Sequence, residues 1–310
     1  MRVTSNMLSQ NLLSNLEMAN NKMDLLQNKL ASGQSITKPS DDPVKIETAL
    51  RYKSTISSME QWKINASEGL SFMETTEGIL SDMTSMLQRV RELTIQGANG
   101  TNSISDRSQI ANEVDQLTQQ FHLTANSQIG SKYVFSGTNI DTEPLSDYPD
   151  DIPSPPPAPT EWNGNENRLE FEVGSNLSLP ITIKGTDLFG ITDNGDGTQS
   201  SAFFDTLNKL STALRDGDTD KINESLGEID DHIDNVLALR AELGARTNRM
   251  EVIYNQTDYS ITNLQQNLSD IQDADMAETI MEFQSVQNVY RAALSVGSKI
   301  IQPSLVDFMS

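Results

Sequence analysis

Residues able to do acid–base or nucleophilic chemistry are sparse in this chain. The only histidines are His122 and His232, the second directly after Asp231 inside a long run of helical periodicity. A Ser/His/Asp relay needs a nucleophile held within hydrogen-bond reach of an oriented imidazole, and neither a nucleophile elbow nor a Gly-rich phosphate loop accompanies either histidine. Both are therefore expected on solvent-facing helix surface, and no catalytic residue and no cofactor is assigned. The chain has no Cys, which removes disulfides, thiolate nucleophiles and thiolate metal sites. The stretch DNGDGT, Asp193 to Thr198, has the composition of a calcium loop. It misses the EF-hand spacing and the distal Glu, so it reads as a polar turn and no metal ligand is assigned.

What remains to organise the chain is apolar periodicity. Of 310 residues 36% are hydrophobic and 5% aromatic, which is thin for an enzyme of this size and suits long helices with narrow apolar stripes. A net charge of −22 repels phosphate backbones and anionic lipid, so no nucleic-acid partner is expected. No apolar run is long enough for a bilayer, so no membrane insertion is expected. The start, MRVTSNMLSQNLLSNLEMANN, lacks an apolar h-region and a small-residue cleavage site, which argues against a cleaved secretory signal.

Leu12, Leu16, Ala19, Met23, Leu26 and Leu30 recur at alternating spacings of four and three, the pattern of a seam facing another helix. The far end carries the same spacing in Ile229, Ile233, Val236, Leu243, Met250, Tyr254, Ile261, Leu264, Leu268 and Ile271, with Arg240, Thr247 and Thr257 at in-register gaps. The DADMAE stretch then shifts the phase, and Met276, Ile280, Phe283, Tyr290, Leu294 and Ile301 form a second register that breaks at Pro303. Near the N-terminus Gly33 ends one helix, and Ser40, Asp41, Asp42 and Pro43 begin the next, with Asp42 as N-cap and Pro43 at the first helical position. Helical patterns continue from Pro43 to about Gln96 and from Asp106 to Thr124. KYVFSGTN suggests a short hairpin, DYPDDIPSPPPAPT an extended acidic spacer, and Leu169, Phe171, Val173, Ile181 and Ile183 the strand period.

The expected fold is therefore mainly α: an elongated rod of long antiparallel helices, a coiled-coil-like bundle with paired N- and C-terminal helices that carries a small β-rich insertion. The expected divisions are 1–40 and 273–310 for the terminal helices, 41–137 and 201–272 for the two halves of a helical domain, and 138–200 for the insertion. The narrow terminal stripes leave Val3, Met7, Leu8, Val286, Val289, Val296 and Ile300 off the seam. The terminal segments are thus expected to become ordered against other subunits. The predicted subunit interface comprises Leu12, Leu16, Met23, Leu26, Leu30, Met276, Ile280, Phe283, Tyr290, Leu294 and Ile301.

Four stretches, MRVTSNMLSQNLLSNL, LASGQSI with SDDP, LQRVRELTIQGANGTNSISDR, and LRAELGARTNRME with NLSDIQDADMAE, resemble the bacterial flagellin family. The resemblance covers about Met1 to Gly137 and Phe203 to Ser310. The ending IIQPSLVDFMS, the length and the single small insertion are similar to the hook-associated members more than to the filament subunit. The resemblance implies an extracellular structural role, a short ring at the hook–filament junction. It also implies self-assembly, contacts with a neighbouring hook-associated junction protein and with flagellin, and flagellar export without a cleaved signal. An export chaperone on the C-terminal helix is implied as well. The alternatives are a filament flagellin, or a helical adhesin or secreted enzyme using a flagellin-like export signal. The family layout makes Ser40 to Pro43 the turn between an inner and a surrounding layer of helices. It also makes Arg89, Leu93 and Glu113 the residues that would face a host receptor. Two positions depart from flagellin: Ser35 stands where Arg is typical, and Asp270-Ile271-Gln272 where Arg-Ile-Arg is typical.

Overall fold

A computed structural model describes residues 5–146, 161–193 and 199–301. The acidic Pro-rich spacer at 147–160, the turn at 194–198 and the ending from 302 onward lie outside the described residues. The chain divides into two compact units, one of Met1–Ser58 with Tyr259–Ser310 and the other of Met59–Asp258. The elements in chain order are α1 (Ser5–Ser32), α2 (Pro43–Ala98), α3 (Ile104–Ala125), β1 (Gln128–Ile129), β2 (Lys132–Tyr133), β3 (Leu145–Ser146), β4 (Glu161–Trp162), β5 (Glu170–Gly174), β6 (Leu177–Pro180), α4 (Gly185–Phe189), β7 (Ile191–Asp193), β8 (Gln199–Ser201), α5 (Ala202–Asp216), α6 (Thr219–Gln272) and α7 (Met276–Ile301). The protein is mainly α with small antiparallel ribbons, as the sequence pattern predicts.

In the Met59–Asp258 unit α2 and α6 run antiparallel, cross-tied by Lys63 to Asp258, Arg240 to Glu77 and Arg91 to Asp230. Between them Met73, Leu80, Met83, Leu87 and Val90 face Ile229, Val236, Leu243 and Met250, all fully buried. Arg240, one of the polar residues in the apolar register, donates to Glu77 at 2.7 Å and to Thr84 at 3.2 Å. A capping box starts α3, with Ser103 accepting from the Asp106 N–H and the Asp106 carboxylate accepting from the Ser103 N–H. The α3 helix then returns beside α2, joined by Arg89 to Glu113 at 2.7 Å. The amphipathic α5, which apolar spacing alone does not separate from α6, packs antiparallel on α3. There the buried Asp115 accepts from Ser211 and Arg215, and Arg107 donates to the Gly217 carbonyl.

The described β structure consists of four two-stranded antiparallel ribbons. The hairpin expected within KYVFSGTN turns earlier, at Gly130 with φ of +65°, and Lys132-Tyr133 form its return strand. Two-stranded ribbons cannot bury their own faces, and here they do not. Trp162, Val173, Ile181, Ile183 and Phe189 belong to one continuous core with Phe121, Phe203 and Phe204. The rings of Phe121 and Phe203 meet edge-on at 5.0 Å, and those of Phe189 and Phe203 at 5.7 Å. The insertion thus shares the helices' core.

Neither histidine is on the solvent-facing surface expected from sequence. His122 is 5% exposed beside Phe204, and His232 is half-buried with its ring 5.2 Å from Phe203 and Nε2 3.3 Å from the Thr206 hydroxyl. The helix period puts both on the inner side, because α5, which the spacing does not reveal, supplies the aromatic wall. Burial pushes His122 down to about 4 and also lowers His232.

Two outcomes are expected. Trp162→Ala removes an indole from the shared core and is expected to cost about 3–5 kcal/mol in denaturant unfolding; replacing 141–195 by a Gly/Ser link is expected to unfold the helices of this unit as well. For His122, the unfolded chain takes up a proton as pH falls through 6.5, whereas the folded chain resists until about pH 4. Folding stability is therefore present above pH 6.5 and is lost as pH falls toward 4, by an amount on the order of 2 kcal/mol. Melting-temperature profiles should show a shallower acid slope in His122→Leu than in the parent.

Candidate assembly surface

In the unit formed by the two ends of the chain, α1 and α7 pack antiparallel, with Lys22 3.9 Å from Glu282. On α1 the buried line is the predicted one: Leu26 is fully buried and Leu12, Leu16, Met23 and Leu30 are half-buried. On α7 the seam differs from the predicted register. It runs through Thr279, Phe283, Val286, Tyr290, Ala293 and Gly297. Phe283 and Tyr290 are shared with the prediction, whereas Met276, Ile280 and Leu294 are exposed, Leu294 at 47%. The side chain of Ile301 lies outside the described residues. The reason is steric: a Cβ placed on Gly297 would come within 2.6 Å of Leu12, so the helices approach where α7 is small. Thr279, Val286, Ala293 and Gly297, at spacings of seven, seven and four, carry this signal, which a search for bulky residues passes over.

The displaced bulk lies outside the seam. At 100° per residue, Met276, Ile280 and Leu294 line one flank of α7, Val289 and Val296 the other, and Met281 the back, all exposed. Of the residues expected off the seam, Val286 is in it and Val289 and Val296 are on this outer surface. On α1, Met7, Met18 and Leu25 form an outer line with Leu13 on another face, likewise exposed.

Both helices end at a stitched joint. Gly33 takes φ of +70°, which Gly adopts without strain, and its carbonyl accepts from the Ala274 N–H at 2.9 Å. The Ser35 N–H donates to the Gln272 carbonyl at 2.7 Å, and Gln34 bridges Asp273 antiparallel. Ser35 thus contributes its backbone. Asp275 caps α7, accepting from the Ala277 and Glu278 N–H groups at 2.9 and 3.1 Å.

Across the joint, the Asp42 carboxylate accepts from the Val44 and Lys45 N–H groups, both at 3.1 Å, and Pro43 opens α2. Asp41 accepts from the Lys38 N–H at 2.9 Å and the Thr37 N–H at 3.2 Å, bonds that hold its carboxyl below the usual range, and Ser40 is exposed. Sequence reasoning misses Asp273, Asp275 and the backbone bridge. Their visible trace is the Asp-Ala-Asp break between two apolar registers.

The predicted receptor-facing residues divide. Arg89 and Glu113 are exposed and paired with each other, Arg89 also reaching Glu92 at 3.1 Å. Leu93 is only 1% exposed and belongs to the core, so it cannot contact a receptor without local unfolding. Among the described residues, no group of three or more His, Asp or Glu is placed to hold a metal ion, and no helix is long and apolar enough to cross a membrane.

Comparison with known proteins places this arrangement. The chain is 30% identical to the flagellin of Bacillus subtilis (strain 168) over 295 residues, 91% of this chain and 90% of that one. It is 30% identical to flagellin FlaB1 of Treponema pallidum (strain Nichols), over 82% of this chain and 80% of that one. Among solved structures the fold is shared with FlgL of Xanthomonas campestris, at a TM-score of 0.60 and 15% identity, covering 70% of this chain and 99% of that one. It is shared also with the flagellar junction protein FlgL of Legionella pneumophila, at a TM-score of 0.54 and 19% identity, covering 72% and 99%. Residues 3–140 match the bacterial flagellin N-terminal helical region and residues 226–309 the bacterial flagellin C-terminal helical region, and the chain therefore belongs to the bacterial flagellin family.

Proposed function

We propose that the chain is a structural subunit of the flagellar axis at the hook–filament junction, where copies associate through the outer faces of α1 and α7 in a short ring. The observation that carries this reading is the distribution of bulk on α7. The helix turns Thr279, Phe283, Val286, Tyr290, Ala293 and Gly297 toward α1 and presents Met276, Ile280, Leu294, Met281, Val289 and Val296 outward. Exposed apolar side chains gathered on one helix surface mark a place where another protein surface packs. Burial between subunits supplies what the single chain lacks. The partners on this reading are further copies, a neighbouring hook-associated protein, flagellin, and before export a chaperone covering the C-terminal helix. No catalytic role is proposed.

The junction, as distinct from the filament, is supported by the likeness of fold to the FlgL structures, whose lengths this chain covers almost entirely. A second reading, filament flagellin, is favoured by the 30% identity to the Bacillus subtilis flagellin along 91% of the chain. Deleting the gene separates them. Loss of a junction protein leaves hooks intact while flagellin is shed into the medium; loss of the filament subunit leaves hooks with no such flagellin. Leu294→Glu tests the surface itself. A carboxylate there is solvated in the single chain but costs several kcal/mol when buried between subunits. The variant should melt like the parent and be exported, yet fail to retain filaments. Val114→Glu, which strikes the fully buried face of α3, should instead melt early.

A further inference from the structure

Charge along this chain is unevenly placed. The first 53 residues hold seven Lys and Arg against five Asp and Glu, a surplus of two positive charges, whereas the other 257 residues hold 15 against 39. Within the terminal unit two of these cations, Lys45 and Lys53, border a cup of about 170 Å³ whose lining joins the apolar Ile36, Ile46, Ala49, Leu50 and Ile271 to Gln34, Thr37 and Gln272. Leu50 is 59% exposed, and among the described residues neither lysine enters an ion pair. The cup is below the volume of ordinary small-molecule sites and suits one or two side chains of a protein partner.

The complement is present on the same unit. Residues 273–282, DADMAETIME, carry Asp273, Asp275, Glu278 and Glu282 and no cation, with Met281 65% exposed beside Glu278 and Glu282 on the first turns of α7. Glu278 and Glu282 line a separate hollow with Leu26, Lys29 and Thr279 that shares no residue with the Lys45–Lys53 cup. One surface offers a cup with Lys45 and Lys53 at its rim, and the other offers the exposed Met281 flanked by Glu278 and by Glu282, the latter also 3.9 Å from Lys22. Both flank the backbone bridge of Gln34 to Asp273.

We propose that the Lys45–Lys53 cup of one copy receives the Met281 segment of a second copy, with Glu278 and Glu282 opposite the two lysines. The proposal rests on the self-assembly reading above and gives that assembly its direction. A contact between two different patches that is not returned by the same neighbour is heterologous, so it repeats head to tail and closes as a ring or continues as a helix, whereas a reciprocal pairing would stop at a two-fold dimer, which sedimentation distinguishes by size. In a chain of net charge −22, the pairing also offsets repulsion between copies at their closest approach.

The test uses complementary reversals in the full chain: a cup variant, Lys45→Glu with Lys53→Glu, and a stripe variant, Glu278→Lys with Glu282→Lys. All four positions are at the surface, and thermal melts verify that each variant folds. Self-association is read by sedimentation at low ionic strength with sucrose present. Each variant alone sets like charges together and should lose the sedimenting species. An equimolar mixture restores opposite charges at every contact and should regain it. Assembly of either variant alone at parental levels, or a mixture that stays unassembled while both variants remain folded, overturns the proposal. Oxidative cross-linking supplies an independent readout, because the chain has no Cys. Leu50→Cys mixed with Met281→Cys should give the mixed disulfide, and only like-with-like products, or capture of a different flagellar protein by Leu50→Cys, would refute the second copy as occupant. If the parent itself does not sediment, the self-assembly reading fails first.

Discussion

The close approach of α1 and α7 governs the terminal unit. Gly297 leaves room for Leu12, and Thr279, Ala293 and Val286 continue a narrow face along which the antiparallel pair meets. Phe283 and Tyr290 share that line, while Met276, Ile280, Leu294, Val289 and Val296 stand on the flanks. The same constraint that makes the pair compact leaves it apolar outside, which is a poor arrangement for a solitary chain and a suitable one for a subunit. At the ends of both helices the backbone bridge between residues 33–35 and 272–274 replaces side-chain contacts. Backbone hydrogen bonds fix position independently of residue type. Ser35 and Gln272 enter the joint through their backbone groups.

Much of this is legible in the sequence. The apolar register of α6 from Ile229 to Ile271, the α1 stripe and the Asp42-Pro43 helix start all derive from spacing and capping chemistry, and each is where the pattern puts it. Three features are hidden for physical reasons. Four of the six α7 seam positions are Thr279, Val286, Ala293 and Gly297, and a pattern drawn through the bulkiest apolar residues passes them over. The α5 helix lies between a Ser-rich strand and α6, so Phe203, Phe204, Leu207 and Leu210 merge with the α6 pattern, and the inward position of both histidines is lost with them. The insertion has a strand period that says nothing about which core it joins; only tertiary packing sets Trp162 and Ile181 against the helices.

The two units carry different kinds of stability. The Met59–Asp258 unit has a dense core of aromatic and aliphatic side chains with buried polar ties such as Asp115 to Ser211 and Arg215. The terminal unit relies on one narrow seam and on hydrogen bonds that lie near solvent. Regions with few buried apolar contacts open at lower free-energy cost. A subunit that must be exported and then inserted between neighbours has use for ends that yield while its middle holds.

If subunits assemble through the outer faces of α1 and α7, those faces become covered, and methionine oxidation reads this directly because thioethers react according to exposure. Met7, Met18, Met276 and Met281 are exposed in the single chain, whereas Met73, Met83 and Met250 are fully buried and serve as internal references. Peroxide footprinting with mass spectrometry, performed on the free chain and on assembled flagella, should show the first four oxidised readily when free and protected when assembled, with the references slow in both. Equal oxidation of Met276 and Met281 in the two states would mean that the outer face of α7 stays uncovered in the flagellum.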